Sequence, residues 1–229
     1  MGMLIFCIVV VVVIWMILKK ISNSLHQQVN SLRQKAEQGD SQAQLNLGNM
    51  YYAGSGGVKD NRQALAWWQK AAIQGNAEAQ SALAGMYHFG RGVTQDDRQA
   101  VTWWQKAANQ GFAEAQAMLG MMYEAGCGVA QDSRQAVAWF QKAADQGHPD
   151  AQRAMGTMYL VGRGVAQDHI TAYAWFIVAA ANGNKDATEA RDKIRRRMMP
   201  QQIAAGEGLA KTLRGVLAAL RASQHIGQR

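Results

Sequence analysis

One phrase occurs three times in this chain, always 36 residues apart. It reads RQALAWWQKAAIQG from Arg62, RQAVTWWQKAANQG from Arg98 and RQAVAWFQKAADQG from Arg134. A fixed period of roughly 20–50 residues is the sequence signature of a repeat array. Such an array extends one continuous core as units are added, so the period predicts a single elongated array rather than one or two globular domains.

The first part of each unit predicts an amphipathic helix, which we call helix A. Apolar residues recur four, eight, eleven and twelve positions after the opening glycine, and this spacing traces one helical face. A small residue also recurs inside the helix, and the four copies are Gly48, Ala84, Gly120 and Gly156. Because a glycine inside a helix costs about 1 kcal/mol relative to alanine, its recurrence predicts a close approach of two helices there.

The second part of each unit predicts another helix, helix B, which follows a glycine-rich loop. Each helix B is preceded by an aspartate that can accept hydrogen bonds from free backbone N–H groups, and these are Asp60, Asp96, Asp132 and Asp168. Each helix B carries an aromatic pair: Trp67–Trp68, Trp103–Trp104, Trp139–Phe140 or Trp175–Phe176. One helical hairpin cannot cover both rings, so we expect each pair to be buried against the next unit.

The combined pattern resembles the Sel1-like repeat (SLR), a relative of the tetratricopeptide repeat (TPR) with a longer period. It reads A-x-x-x-L-G-x-M-Y-x-x-G-x-G-V-x-x-D and then A-x-x-W-x-x-K-A-A-x-x-G, and residues 39–182 match it over four units. The resemblance implies an all-α, right-handed superhelical solenoid of αα-hairpins, in which helix A lines the concave surface. In the fourth unit Ile170, Ile177 and Val178 replace the usual Arg, Gln and Lys, as expected of a unit that is covered on both sides.

Both ends of the array are predicted to be capped. Residues 21–38 form a linker and a capping helix, because Val29, Leu32 and Ala36 stand 36 residues before apolar positions of a helix B. Residues 183–229 contain an incomplete fifth repeat and a basic capping helix whose first turn suits Pro200. The apolar stripe predicted to cover the last unit consists of Leu209, Leu213, Val216, Leu217 and Leu220.

Residues 1–20 predict a transmembrane signal-anchor helix. The run MGMLIFCIVVVVVIWMIL has no charged side chain, and as a helix it spans about 27 Å, close to the hydrocarbon thickness of a bilayer. No basic residue precedes the run and no small-residue cleavage site follows it, so we expect it to remain uncleaved. The basic residues Lys19, Lys20, Arg33 and Lys35 follow it, and the positive-inside rule predicts a single-pass protein of the bacterial inner (plasma) membrane with cytoplasmic repeats. Export of the repeats is the alternative, because many relatives of this repeat family are exported.

The net charge of +8 is carried by the two ends of the chain. Residues 1–38 contribute +3, residues 39–182 contribute −1 and residues 183–229 contribute +6. Because attraction to phosphates needs a continuous basic surface, we do not expect specific nucleic-acid binding. A basic patch predicted at Arg195, Lys211, Arg214 and Arg221 is either a solvated face or a contact for anionic lipids or an acidic partner.

No motif predicts an active site, a cofactor or a metal centre. The histidines lack metal-ligand spacing, and no nucleophile motif such as G-x-S-x-G occurs. Cysteine-rich relatives of the repeat family that bind or hydrolyse penicillin carry a cysteine pair in each unit, which this chain lacks. The loop residue Cys127 is expected to be exposed. We therefore expect no enzyme, no cofactor and no small-molecule substrate.

One stripe of helix A varies between units, while the core positions barely change. A variable lining on a constant scaffold is typical of a recognition groove, although drift of a solvent-facing surface produces the same pattern. The candidate partner-binding residues are Asn49, Tyr52, Ser81, His88, Met121, Glu124, Arg153, Thr157 and Leu160. The favoured hypothesis is a membrane-anchored scaffold that binds a protein partner. The alternatives are a cell-wall-related hydrolase, by family analogy, and a self-assembling structural membrane protein.

Overall fold

Helices of equal length follow one another along most of the chain. The computed structural model describes residues 15–16, 19–20, 27–55 and 59–226, and within these ranges there is no strand. Residues 27–37 are helical and are called α1. The other helices are α2 (Ser41–Ala53), α3 (Asn61–Ile73), α4 (Ala77–Phe89), α5 (Asp97–Asn109), α6 (Ala113–Ala125), α7 (Ser133–Asp145), α8 (Pro149–Val161), α9 (His169–Ala181), α10 (Lys185–Arg195) and α11 (Pro200–Ile226). The chain divides into two compact units, Met1–Ala79 and Gln80–Arg229.

The helix boundaries follow from local capping chemistry. The four predicted aspartates each accept two backbone N–H hydrogen bonds in the first turn of α3, α5, α7 and α9, as expected. Helices α2, α6 and α8 end at Gly54, Gly126 and Gly162, where φ is 74°, 71° and 72°. This left-handed conformation suits glycine and lets the backbone turn towards helix B. The sequence therefore determines each helical hairpin before any tertiary contact is considered.

The recurrent glycine of helix A lies directly against the second aromatic residue of helix B. A Cβ atom on Gly120 would lie 2.5 Å from the ring of Phe140, and a Cβ atom on Gly156 would lie 2.6 Å from the ring of Phe176. In the N-terminal unit the same relation joins Gly48 to Trp68. The predicted close approach is thus confirmed, and the group that requires it is an aromatic ring.

The aromatic pairs are buried in both directions along the array, not only towards the next unit. Phe176 is buried in a cluster with Ile194 of the following helix α10, as expected. Trp175 instead belongs to a cluster that contains residues of the preceding helix α7, and Trp67 belongs to one that contains Ala36 of α1. Trp103 is the exception among the eight aromatic residues, because it is only half-buried.

A lysine covers the outer face of the first tryptophan in three repeats. The Nζ atoms of Lys70, Lys106 and Lys142 lie 4.0, 4.0 and 3.9 Å from the ring centroids of Trp67, Trp103 and Trp139. This geometry is a cation–π interaction that keeps the ammonium group hydrated at one side. The fourth repeat has Val178 at this position, and Val178 is buried in a cluster with Ala210 and Leu217 of α11. An apolar residue replaces the lysine here because α11 covers this position.

Buried glutamines connect α6 and α8 to the helix B that precedes each of them, a feature that the sequence pattern did not predict. The Nε2 atom of Gln152 donates to the carbonyl of Ala144 at 3.0 Å, and its Oε1 atom accepts from Nδ2 of Asn182 at 2.7 Å. Gln116 makes the equivalent bonds with Ala108 and Gln146. Each of these carbonyls also accepts a backbone N–H in the same turn, from Gly147 at Ala144 and from Gly111 at Ala108. The glutamine therefore adds a second hydrogen bond to the carbonyl and pairs its own buried amide group.

Both predicted capping segments pack against the repeats. In the N-terminal unit Leu32 and Ala36 of α1 join the cluster of α2 and α3. At the other end α11 packs along α9 and also reaches α7, so it covers more than the last repeat. Leu217 is buried, but Val216 is 51% exposed and Leu220 is 40% exposed. The prediction that all five apolar residues of the stripe are covered is therefore wrong for these two, because the buried face of α11 is centred on Gly206, Ala210 and Leu217.

Cys127 is half-buried rather than exposed. Its neighbour Gly128 has a φ of 69° and lies so close to the backbone of Asp97 that an added Cβ atom would overlap the Asp97 carbonyl. The loop after α6 thus lies directly against the first turn of α5.

The predicted membrane anchor lies outside the described residues, apart from positions 15–16 and 19–20. Among the helices that the structure describes, none combines the length and the apolar character that a membrane crossing requires. The anchor therefore stays a prediction from the sequence.

We expect the substitution Gly120→Ala to lower the free energy of unfolding by about 1–3 kcal/mol, because the new methyl group overlaps the Phe140 ring. Gly85→Ala is the matched control, since Gly85 is also inside a helix A but has no atom within 4 Å of the Cβ position. That control is expected to be neutral or stabilising by up to about 1 kcal/mol. Urea unfolding followed by circular dichroism measures both, and equal effects would contradict the role of the glycine.

Candidate functional site

Helices α6 and α8 enclose a cavity on the helix A side of the C-terminal unit. Its volume is about 370 Å³, and Phe140 and Ala151 contribute to its floor. Four of the predicted partner-binding residues line it: Met121, Glu124, Arg153 and Thr157. Met121 is 45% exposed, so an apolar side chain is accessible at the mouth.

A second cavity of about 560 Å³ lies between α8 and α10. The predicted residues Thr157 and Leu160 line it, together with the buried side chains of Phe176, Ile194 and Met198. Because Thr157 belongs to both cavities, the two adjoin along α8. We call the pair the α6–α8–α10 groove.

The two halves of the groove differ in charge. The α6–α8 cavity is lined by Glu114, Glu124 and Asp150, with Arg153 and His148 as its basic groups. The α8–α10 cavity is lined by basic residues and by no carboxylate, and its polar lining consists of Thr157, Gln167, His169, Lys193 and Arg197. A segment lying along the groove therefore meets opposite potentials at its two ends.

His148 connects two helices at the edge of the groove. It precedes α8, and its Nδ1 atom accepts a hydrogen bond from the backbone N–H of Ala151 at 3.3 Å. Its Nε2 atom lies 2.7 Å from Oε2 of Glu114 in the first turn of α6. That hydrogen bond holds the pKa of Glu114 below its usual value, even though partial burial of the carboxyl group acts in the opposite direction.

The lowered pKa of Glu114 has a definite consequence for stability. A carboxyl group whose pKa is lower in the folded state stabilises the folded chain above its unfolded-state pKa. The contribution disappears as the pH falls through the folded-state pKa of Glu114. The His148–Glu114 link is thus a contact between neighbouring repeats that is weakened by acid.

Arg153 lies in the floor of the α6–α8 cavity with part of its guanidinium group unpaired. Its Nε atom is buried and has no hydrogen-bond partner among the described residues. Thr157, one helical turn later, donates its hydroxyl to the Arg153 carbonyl at 3.2 Å. An unpaired buried donor costs free energy that a bound acceptor would recover.

The other predicted partner-binding residues are engaged in packing within the hairpins. Ser81 is buried. His88 is half-buried, with Nδ1 2.6 Å from Asp97 and its ring 5.5 Å from Trp104. In the N-terminal unit Asn49 accepts the indole N–H of Trp68 at 2.9 Å, and the Tyr52 ring lies 5.3 Å from the Trp68 ring. A role of these four residues in binding stays a prediction.

The four residues of the predicted basic patch have different local surroundings, and their shared role in binding stays a prediction. Lys211 and Arg214 line a recess between α9 and α11 that also contains Glu207. Arg221 is partly buried and donates its Nε hydrogen to the Leu217 carbonyl at 3.2 Å. Arg195 lies beside Asp192 and Arg196 in another recess.

Helix α10 contributes a basic lining that is not among the residues predicted from the sequence. Lys193 stands ten residues after Gly183, which is the same offset as Asn49, Gly85, Met121 and Thr157 in the earlier units. Extending the variable stripe into the incomplete fifth repeat would have found Lys193. No signal in the sequence identifies Arg197 or His169, because their position depends on how α9 and α10 pack.

Comparison with known proteins gives a family match and several similar folds. The family model described as Sel1 repeat matches residues 41–76, 77–112, 113–148 and 149–184. Among solved structures, a protective antigen of uropathogenic Escherichia coli that displays an SLR fold is 37% identical, with a TM-score of 0.73. The similarity covers 83% of this chain and 40% of that antigen.

Two further structures extend the comparison. A Sel1 repeat protein from Oxalobacter formigenes is 41% identical with a TM-score of 0.66, over 73% of this chain and 49% of that protein. An immunity protein from Pseudomonas aeruginosa is 25% identical with a TM-score of 0.51, over 85% of this chain and 74% of that protein. This chain spans less than half the length of the Escherichia coli and Oxalobacter proteins. A comparison with curated proteins finds no significant match.

We expect His148→Ala to raise the pKa of Glu114 towards its usual value, because the hydrogen bond that lowers it is removed. Titration of the side-chain carboxyl carbons by NMR measures this directly. Asp168 is the internal control, since its pKa is lowered chiefly by the hydroxyl of Thr171 and does not depend on His148. A Glu114 titration that is the same in both proteins would show that His148 does not control the carboxylate.

Proposed function

Because the chain belongs to the Sel1 repeat family, whose helical-repeat fold is typically a scaffold for protein–protein interaction, we propose that its α6–α8–α10 groove binds a segment of another protein. The observation that carries the proposal is the pair of adjoining cavities on the helix A side of the C-terminal unit. Both cavities combine apolar walls with a few charged groups, which is the usual composition of a binding site.

The dimensions of the groove suit a short stretch of polypeptide. The two cavities have volumes of about 370 Å³ and 560 Å³. Both volumes lie within the range of roughly 300–1,000 Å³ that is usual for binding pockets. The accessible apolar side chains, Met121 at one end and Leu160 at the other, provide contact area.

The membrane anchor is part of the same proposal. Residues 1–20 would hold the repeats close to the cytoplasmic face of a bacterial inner membrane, and this raises the local concentration of the groove for a partner at that membrane. The support is the uncharged run at the start of the sequence and the basic residues that follow it. The hydrolase and self-assembly alternatives stay predictions, because no feature of the described residues favours either.

We expect Met121→Arg to abolish retention of the bound protein in an affinity capture from the native cells. The long charged side chain would stand in the mouth of the α6–α8 cavity, where Met121 is 45% exposed and can be replaced without disturbing the core. Val216→Arg is the matched control, because Val216 is 51% exposed on α11, outside the groove. Equal recovery of the partner by both variants would exclude the groove as the binding surface.

We expect a fluorescent protein fused to the C-terminus to be bright and an alkaline phosphatase fused there to be inactive, because both reporters depend on the side of the membrane they reach. Membrane fractionation of the same fusions tests the anchor, and a deletion of residues 1–20 is the control that should release the protein. The opposite reporter pattern would place the repeats outside the cytoplasm.

A further inference from the structure

The floor of the α8–α10 cavity is apolar and well packed. Phe176 is 1% exposed, Ile194 is 6% exposed and Met198 is 9% exposed, and all three belong to one buried cluster. Leu160 lines the same cavity and is only partly buried. The volume of about 560 Å³ falls within the range of roughly 300–1,000 Å³ that is usual for binding pockets. This floor is suited to an apolar side chain.

The rim of the same cavity is positively charged. Lys193 and Arg197 are exposed, and neither takes part in an ion pair with the described residues. His169, which is also exposed, adds an imidazole ring that can donate a hydrogen bond to a ligand. The nearby carboxylate of Asp168 accepts hydrogen bonds from the N–H groups of Ile170 and Thr171 and from the Thr171 hydroxyl, and it forms no ion pair with Lys193 or Arg197 among the described residues. The positive charge at the rim is therefore available to a ligand.

The carboxylates at the other end of the groove are already paired. Glu114 bonds to His148 at 2.7 Å, and Asp150 accepts from Nδ2 of Asn184 at 2.6 Å. Glu124 lies 3.4 Å from an exposed arginine, Arg163. Charge selection by the groove should thus come mainly from the unpaired cations at α10 rather than from the acidic end.

We infer that the α8–α10 cavity receives an apolar side chain of the partner protein and that the residues flanking this side chain are acidic. The inference rests on the proposed function and specifies the chemistry of the bound segment. An acidic segment placed over Lys193 and Arg197 would also fix the direction in which the partner crosses the groove, since the exposed cations lie at the α10 end.

Fluorescence anisotropy with defined peptides tests the inference. The full chain is held in nanodiscs of phosphatidylcholine, which carry no net charge, and is titrated into labelled Glu-Asp-Leu-Phe-Asp-Glu. Three comparison peptides are Gln-Asn-Leu-Phe-Asn-Gln, Lys-Lys-Leu-Phe-Lys-Lys and Glu-Asp-Ser-Ser-Asp-Glu. We expect the acidic apolar peptide to bind at least about tenfold more tightly than each of the others. Its affinity should fall as the salt concentration rises.

Charge reversal identifies the residues responsible. We expect the double variant Lys193→Glu/Arg197→Glu to lower the affinity for the acidic apolar peptide by about tenfold or more. The same variant should bind the lysine peptide more tightly than the unchanged protein does. The control is Arg98→Glu/Arg134→Glu, which changes the net charge equally at exposed positions of α5 and α7 outside the groove, and it should leave the affinity nearly unchanged. Circular dichroism confirms that both double variants are folded.

Three results would overturn the inference. They are equal affinity for the acidic and the neutral peptide, an equal effect of the two charge reversals, and no detectable binding of the acidic apolar peptide. The variant Lys193→Glu/Arg197→Glu is also tested for binding to phosphatidylglycerol vesicles. If it loses vesicle binding but keeps peptide binding, the rim binds lipid headgroups instead of an acidic segment. The groove proposal is judged separately by capture with Met121→Arg, so it can stand when this inference fails.

Discussion

An aromatic ring seated against a glycine determines the geometry of the hairpins in this chain. Gly120 faces Phe140 and Gly156 faces Phe176, and in both cases the ring occupies space that any side chain on helix A would need. The separation of helix A from helix B is therefore set by a ring thickness rather than by interdigitating side chains. Because protein interiors tolerate little change in volume, a larger side chain at either glycine would push the two helices of that hairpin apart.

Hydrogen bonds between polar side chains and backbone groups fix the orientation of one repeat relative to the next. Gln116 and Gln152 bond to the last turn of the preceding helix B and accept a bond from the end of their own helix B. A hydrogen bond between buried groups is directional, so each pair fixes a relative rotation that apolar packing alone leaves adjustable. His148 adds a second link of this kind beside the groove. The walls of the two cavities are thus held on rigid elements, as a binding site requires.

The contrast between constant and variable positions now has a structural meaning. The constant positions build the ring-and-glycine contact and the glutamine links, whereas Met121, Thr157 and Leu160 line the groove. A repeat array can change these lining residues without altering its hairpins, because they contribute little to the core. The change from acidic lining at α6 to basic lining at α10 arises in this way and gives the groove a direction.

The sequence by itself determined the repeat length, the helices, their caps and the close approach at the recurrent glycine. These features are local or periodic, so the spacing of residue types is sufficient to identify them. It also pointed to Met121, Arg153, Thr157 and Leu160, because they vary at one helical spacing. Only the tertiary structure showed that Ser81 is buried and that Lys193, Arg197 and His169 line one cavity. Those facts depend on the angle at which helices of different repeats pack, and that angle is set by long-range contacts that no local pattern encodes.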